Sequence, residues 1–264
     1  MYVNIKDDLN KRKVKKIAKK LYRISKKEDI VVALNKTLSQ NMELIEIINE
    51  YGIKILNGRW LFKFLLYDIV NYICKIECKI LETQNVAILI NKKDDIIIGQ
   101  IMEIAKRVKS LKIISDFTNG FGYLEEELYT EYGIALQITN NKKKSLLHTD
   151  IIINFDYDGE QLNKYYTKSG AILVNLQENV ELENFVGINI NDYRIDYDKD
   201  NFEIFENEKD FENNIIYESY IYRKDTLLNI QKQLKRDNVR LVGLIQNNGK
   251  FYLQKSLDKQ KILA

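Results

Sequence analysis

The sequence predicts an α/β protein built on a doubly wound, mostly parallel sheet, with a smaller N-terminal α/β part and a mixed C-terminal tail. Three observations carry this reading. Six short apolar runs recur at strand length, Val86–Ile90, Lys112–Ser115, Ala135–Thr139, Ile151–Phe155, Ala171–Asn175 and Val186–Ile190. Segments of helical period separate the first three. The runs are apolar without alternation, as strands covered on both faces are. Such a sheet starts at its centre and grows outward through right-handed crossovers, which places Val86–Ile90 near the middle. By pattern the chain divides into a helical and short-strand region over 1–81, the sheet over 82–192 and the tail over 193–264.

Taken in order, Leu9, Val14, Ile17, Ala18, Leu21 and Ile24 recur at helical spacing against a face of Lys and Arg, which predicts an amphipathic basic helix. Asp29–Leu34 reads as a buried strand. Met42, Leu44, Ile45, Ile47 and Ile48 make a short helix closed by Gly52, and Ile53–Leu56 is a second strand before the Asn57-Gly58 turn. A long linking helix with a wide apolar face is expected from Trp60 to about Leu81. Within the sheet region, Asp94 or Asp95 caps a helix whose inner face is Ile98, Ile101, Ile104, Ala105 and Val108. A helix over Tyr123–Tyr132 stops at Gly133. In the tail, Asp192–Phe205 reads as a hairpin, Ile215–Arg223 fits helix or strand, and Asp225 caps a helix through Leu234. Val239–Ile245 and Phe251–Gln254 flank Asn247-Asn248-Gly249 as a hairpin.

Composition excludes several classes. There is no proline, and Lys, Asn, Ile and Tyr are over-represented, a skew that AT-rich codons explain. No signal-peptide pattern opens the chain. The most apolar run, Trp60–Cys74, is interrupted by Lys63, Asp68 and Asn71, short of a membrane span. A cytoplasmic protein is expected, with Cys74 and Cys78 as reduced thiols. Net charge is +3, but residues 1–27 hold 11 basic and 2 acidic residues, and the remainder 30 basic against 36 acidic. Residues 192–218 hold 10 acids and 3 bases. The two segments can attract each other within one chain or between copies in a homo-oligomer.

Residues 86–192 resemble the cofactor-binding domain of the Rossmann-fold dehydrogenases in their order of elements, and Asp116 stands where the second strand ends. The resemblance implies an acid there that binds ribose hydroxyls. The preceding region and its linking helix resemble, in layout alone, the two-domain shikimate-dehydrogenase-like proteins. The glycine-rich phosphate turn of the superfamily is absent. The first turn reads Asn91-Lys92-Lys93-Asp94-Asp95, with no glycine before Gly99. Side chains there obstruct the approach of a pyrophosphate, and two carboxylates at the helix N-terminus oppose it. NAD or NADP is therefore not the favoured ligand.

Ligands of open α/β sheets sit beyond the carboxyl ends of the strands. Asn91, Lys93, Asp116, Asn119, Asn140, Asp156, Asn175 and Asn191 fall there, a polar rim for a small polar ligand. Asp156, Asp158 and Glu160 resemble the start of a calcium loop, but the twelfth position is Thr167, so no metal is expected. His148 is the single histidine, without a nucleophile elbow to serve, and Gly120-Phe121-Gly122 lacks phosphate-loop spacing. The leading expectation is a degenerate Rossmann-like protein that binds a partner or small polar ligand without catalysis, in a regulatory or scaffolding role. The alternative is an NAD(P)-dependent oxidoreductase with Asp116 on ribose and Lys93 near phosphate. Nucleic-acid binding through the basic N-terminal helix is a third, and that helix has no Trp or Phe anchor for a membrane.

Overall fold

The computed structural model describes all residues except 4–9, 28–29, 178–179, 181, 200–207, 223–226, 247–248, 250 and 253–264. In chain order the elements are β1 (Tyr2–Val3), α1 (Lys11–Ser25), β2 (Val31–Leu34), α2 (Met42–Glu50), β3 (Lys54–Leu56), α3 (Arg59–Phe64), α4 (Leu66–Ile76), β4 (Asn85–Leu89), α5 (Asp95–Ala105) and β5 (Ser110–Ile114). There follow α6 (Gly122–Tyr132), β6 (Leu136–Thr139), α7 (Lys142–Leu146), β7 (Ile151–Asn154), α8 (Gly159–Leu162), β8 (Ala171–Asn175), β9 (Gly187–Asp196), α9 (Asn213–Ile221), α10 (Leu227–Arg236), β10 (Arg240–Gln246) and β11 (Phe251–Tyr252). They fall into two units, Met1–Leu61 with Ile195–Arg240, and Phe62–Arg194 with Leu241–Ala264.

In the first unit β1, β2 and β3 form a parallel sheet in that order. Nothing in the sequence predicts β1, because two residues carry no periodicity. Asn10 starts α1 by accepting from the Lys13 amide at 3.0 Å. The buried stripe Val14, Ala18 and Leu21 joins Leu44 and Ile48 of α2 and Val32 and Leu34 of β2 in one core. Leu9, expected in this helix, lies outside the described residues. Ala33 points to the other side of the sheet, is also buried, and α9 packs on β2 and β3. Of the segment Ile215–Arg223, Ile215–Ile221 is helix, within α9, and keeps its helical spacing; residue 223 lies outside the described residues. A cap at Asp225 lies outside the described residues.

A carboxylate fastens this unit. Glu218 of α9 is 1% exposed and accepts from the amides of Gly58 (2.7 Å), Trp60 (2.9 Å) and Leu61 (3.1 Å). These are the donors that the start of α3 leaves without helical partners. Burial pushes the Glu218 carboxyl above the usual range, against the pull of those amides and of Lys54.

The second unit holds the large sheet, with strand order β11-β10-β9-β8-β7-β4-β5-β6. From β6 to β9 every pair is parallel. The chain builds β4, β5 and β6 outward one way, then returns to β7 and continues to β9 on the other side. This is the Rossmann-type doubly wound order, with β4 between β5 and β7 as its position in the sequence predicts. Leu89 and Ile152 bury on one face with Leu146 and Leu162, while Val86, Ile88, Ile151 and Ile153 are equally buried. Burial on both faces explains why these strands read as unbroken apolar runs. β10 and β11 pair antiparallel at the far edge, as the hairpin signal predicts, although residues 247 and 248 of its turn lie outside the described residues.

Four expectations need correction. The linking helix is two helices, broken at Leu65 (φ −94°, ψ 7°) and ended at Ile76. Residue Cys78 then takes a left-handed φ of 53°, so the apolar pattern runs past the helix. The depth of burial is as expected, with Leu61, Phe62, Leu66, Ile69, Val70 and Ile73 all inaccessible. In α5 the buried residues are Ile97, Gln100, Ile101, Ile104 and Ala105. Ile98 and Val108, expected on that face, are half-buried, Ile98 because it sits at the margin of the face on the helical wheel and Val108 because it lies beyond the helix end. Asp192–Asp196, expected to open a hairpin, is the continuation of β9, with the alternating burial of a long strand; residues 200–205, where the second arm falls, lie outside the described residues. For the same reason Asn191 sits inside a strand rather than at its end.

Two local features carry predictions. A Cβ at Gly187 would stand 2.1 Å from the carbonyl oxygen of Ala171, its partner in the β8–β9 ladder. A backbone oxygen held in a sheet cannot retreat, so Gly187→Ala is expected to lower stability by about 1–3 kcal/mol or more in urea denaturation. The two thiols also differ. Cys74 is buried, and burial pushes its thiol up to about 11, whereas Cys78 is exposed. Iodoacetamide at pH 8 is expected to add one adduct to the native protein, at Cys78, and two after unfolding, read by intact mass. Among the described residues no helix is long and apolar enough to cross a membrane.

Candidate functional site

The carboxyl ends of β4, β5 and β7 bring a polar cluster together, with Asn91 at its hub. Asn91 follows the apolar run of β4, where the chain must leave the sheet and a short amide side chain satisfies neighbouring backbone. Its Oδ1 accepts from the Asp116 amide (2.9 Å), Tyr157 OH (3.2 Å) and Ser115 Oγ (3.3 Å). Its Nδ2 reaches Asp116 Oδ2 at 3.5 Å. Asp116 also pairs with Lys142, the first residue of α7, whose ammonium stands 5.3 Å from the Tyr157 ring centroid.

The first turn is closed by the chain itself. Asp156, just beyond β7, accepts from the Asn91 amide at 2.7 and 2.9 Å and from the Lys92 amide at 2.7 Å. In a dinucleotide-binding Rossmann turn such backbone donors face pyrophosphate; here a carboxylate of the same polypeptide takes them. Burial raises the Asp156 carboxyl above its ordinary range, and the two amides and the Lys92 charge oppose that shift. Asp94 caps α5 through the Ile96 amide (2.9 Å) and pairs with Lys63 at 2.6 Å. Tyr157 is 1% exposed, and its phenol is raised first by burial and then by the Asp116 charge. The cluster is therefore a set of polar groups that hydrogen-bond and pair with one another across β4, β5 and β7.

Of the residues that the sequence places on the rim, Asn91, Asp116 and Asp156 come together. Lys93 turns toward α6, with its ammonium 4.7 Å from the Tyr123 ring centroid and 6.0 Å from that of Phe121. Asn119 is exposed in a short 3-10 turn, and Asn140 is exposed at the end of β6. Asn175 is buried and accepts from Asn154 Nδ2 at 2.8 Å, a tie between β7 and β8. Asn191, within β9, is half-buried. Sequence reasoning misses Tyr157 and Lys142. The Asn-Phe-Asp-Tyr-Asp segment draws attention to its acids, of which Asp156 reaches back to the first turn while Asp158 is engaged locally. Asp158 caps α8 in a capping box with Gln161, and Glu160, just after the segment, pairs with Lys164 at 3.1 Å. The exposed His148 precedes β7, at the end of that strand opposite Asp156.

A separate small pocket lies on one face of the sheet, partly open to solvent, lined by Leu89, Ile152, Leu173, Tyr165 and Phe185 with Asn163 and Asn184.

No family model matches this sequence, and no curated protein does. The fold is similar to solved structures at low identity. An L-tryptophan dehydrogenase from Nostoc punctiforme shares 11% identity at a TM-score of 0.35, over 67% of this chain and 50% of that one. An ornithine carbamoyltransferase from Pyrococcus furiosus shares 10% at 0.32, over 66% and 60%. A shikimate dehydrogenase in complex with NADP+ shares 13% at 0.31, over 66% and 65%. The chain thus spans half to two thirds of these proteins. The class is that of Rossmann-like α/β proteins, and it rests on the strand order described above.

Proposed function

We propose that this is a Rossmann-like binding protein that has given up the dinucleotide pose and serves a partner or a small polar ligand in a regulatory or scaffolding role. One observation carries the reading: the Asp156 carboxylate occupies the Asn91 and Lys92 amides. A phosphate brought to the same donors would displace a half-buried carboxylate and meet its charge at close range. The Asp94 cap, held by Lys63, adds a second negative charge at the start of α5. Asp116, the acid that would bind ribose, is paired with Lys142 and braced by Asn91.

The test is thermal shift with NAD(H) and NADP(H) at millimolar concentration. No shift is expected, whereas a ligand at 100 times its dissociation constant would stabilise by about 2.7 kcal/mol. A saturable shift abolished by Asp116→Ala would overturn this reading in favour of the NAD(P)-dependent oxidoreductase. A metabolite panel run in parallel addresses the polar edge around Asn91.

A further inference from the structure

We propose that the outward face of α1 docks on the phosphate backbone of duplex nucleic acid, independently of what the Rossmann-like unit binds. Between Lys11 and Lys27 there are ten Lys and Arg residues and no acid. Arg12, Lys16, Lys19, Arg23 and Lys26 are all exposed and follow one another at helical spacing as a continuous cationic stripe.

This arrangement works against the free helix. Arg12 and Lys16, Lys15 and Lys19, Lys16 and Lys20, and Lys19 and Arg23 are like-charge pairs one turn apart, each destabilising. The first turn holds basic residues and no acid, the wrong sign for the positive end of the helix dipole. The core contacts of Val14, Ala18 and Leu21 need none of these charges. A polyanion laid along the stripe would relieve every one of these repulsions. Codon bias does not account for the concentration, because the rest of the chain is net acidic, 30 basic against 36 acidic residues beyond residue 27.

The structure also selects among polyanions. Insertion into a bilayer needs an apolar face, and that of α1 is spent: Val14, Ala18 and Leu21 are 1%, 0% and 3% exposed within the first unit. Single strands are held by stacking bases on free aromatic rings. The one aromatic residue of α1, Tyr22, is already engaged by the Tyr51 ring (centroids 4.5 Å apart) and the Lys26 ammonium at 4.6 Å. What remains is a row of cations about 22 Å long, suited to backbone phosphates without base readout.

The experiment is fluorescence anisotropy of the full chain with a labelled 20-base-pair DNA duplex of mixed sequence, between 50 and 200 mM NaCl. The expected result is binding whose log K falls linearly with log salt, with a slope of about −4 for five phosphate contacts. The triple variant Lys16→Gln, Lys19→Gln, Arg23→Gln is expected to weaken binding at least ~10-fold and to flatten the slope by about 2–3. Its circular dichroism and melting should be kept or improved, since repulsion is removed. A control, Lys106→Gln with Lys164→Gln, is expected to bind as the parent does. No binding at 50 mM salt would overturn the proposal. So would equal losses in variant and control, a single strand bound more tightly than the duplex, or phosphatidylserine vesicles bound in its place.

Discussion

Replacing Glu218 with alanine is expected to destabilise the first unit by at least about 3 kcal/mol. The side chain supplies the acceptor for three amides, of Gly58, Trp60 and Leu61. Each buried donor left without a partner costs roughly 1–3 kcal/mol, and the cavity admits little water because Glu218 itself is 1% exposed. Glu218→Gln retains one oxygen acceptor but presents an amide to the remaining donors, so an intermediate loss is expected. Urea denaturation of the three proteins checks the order. If alanine proved as stable as the parent, the start of α3 would have to be satisfied by other means.

Ile69→Ala is the second large effect. Ile69 sits in α4 with no accessible surface, among Leu66, Val70 and Ile73. Truncating a fully buried aliphatic side chain loses its transfer free energy and leaves a cavity, about 2–5 kcal/mol together. The same change at exposed Ile80 (65%) should cost under about 0.5 kcal/mol. A small loss at Ile69 would mean that α4 is loosely packed.

The contrast between Ile69 and Ile80 shows where the sequence is informative. The apolar face from Trp60 to Leu81 reports burial correctly, but periodicity alone cannot reveal the break at Leu65 or the left-handed turn at Cys78, which tertiary packing imposes. The sheet is legible because strands buried on both faces have no polar alternation to confuse, and because right-handed crossovers leave few orders open. β1 is invisible because its pairing is with a strand some thirty residues away. In the candidate site, Asn91, Asp116 and Asp156 are legible as strand-end polar residues. That Asp156 reaches back to Asn91 and Lys92 is a contact across about 65 positions, for which no local spacing is a signal. Nor does spacing show that Lys142 finds Asp116 or that Asn175 turns inward to Asn154.

The first unit is discontinuous, and this has a consequence in time. Its sheet and two of its helices are complete in sequence by Leu56, but α9, which packs on β2 and β3, begins at Asn213. At synthesis rates of about 5–20 residues per second, the roughly 150 residues between them take on the order of ten to thirty seconds to emerge. Through that interval Ala33 and its face of the nascent sheet have no helix to cover them, and the amides of Gly58, Trp60 and Leu61 have no Glu218. The second unit, whose β4 to β9 are contiguous in sequence, can close its central strands first. A chain truncated near residue 200 should therefore show protected amides in β4 to β8 while those of β2 and β3 still exchange, read by hydrogen exchange.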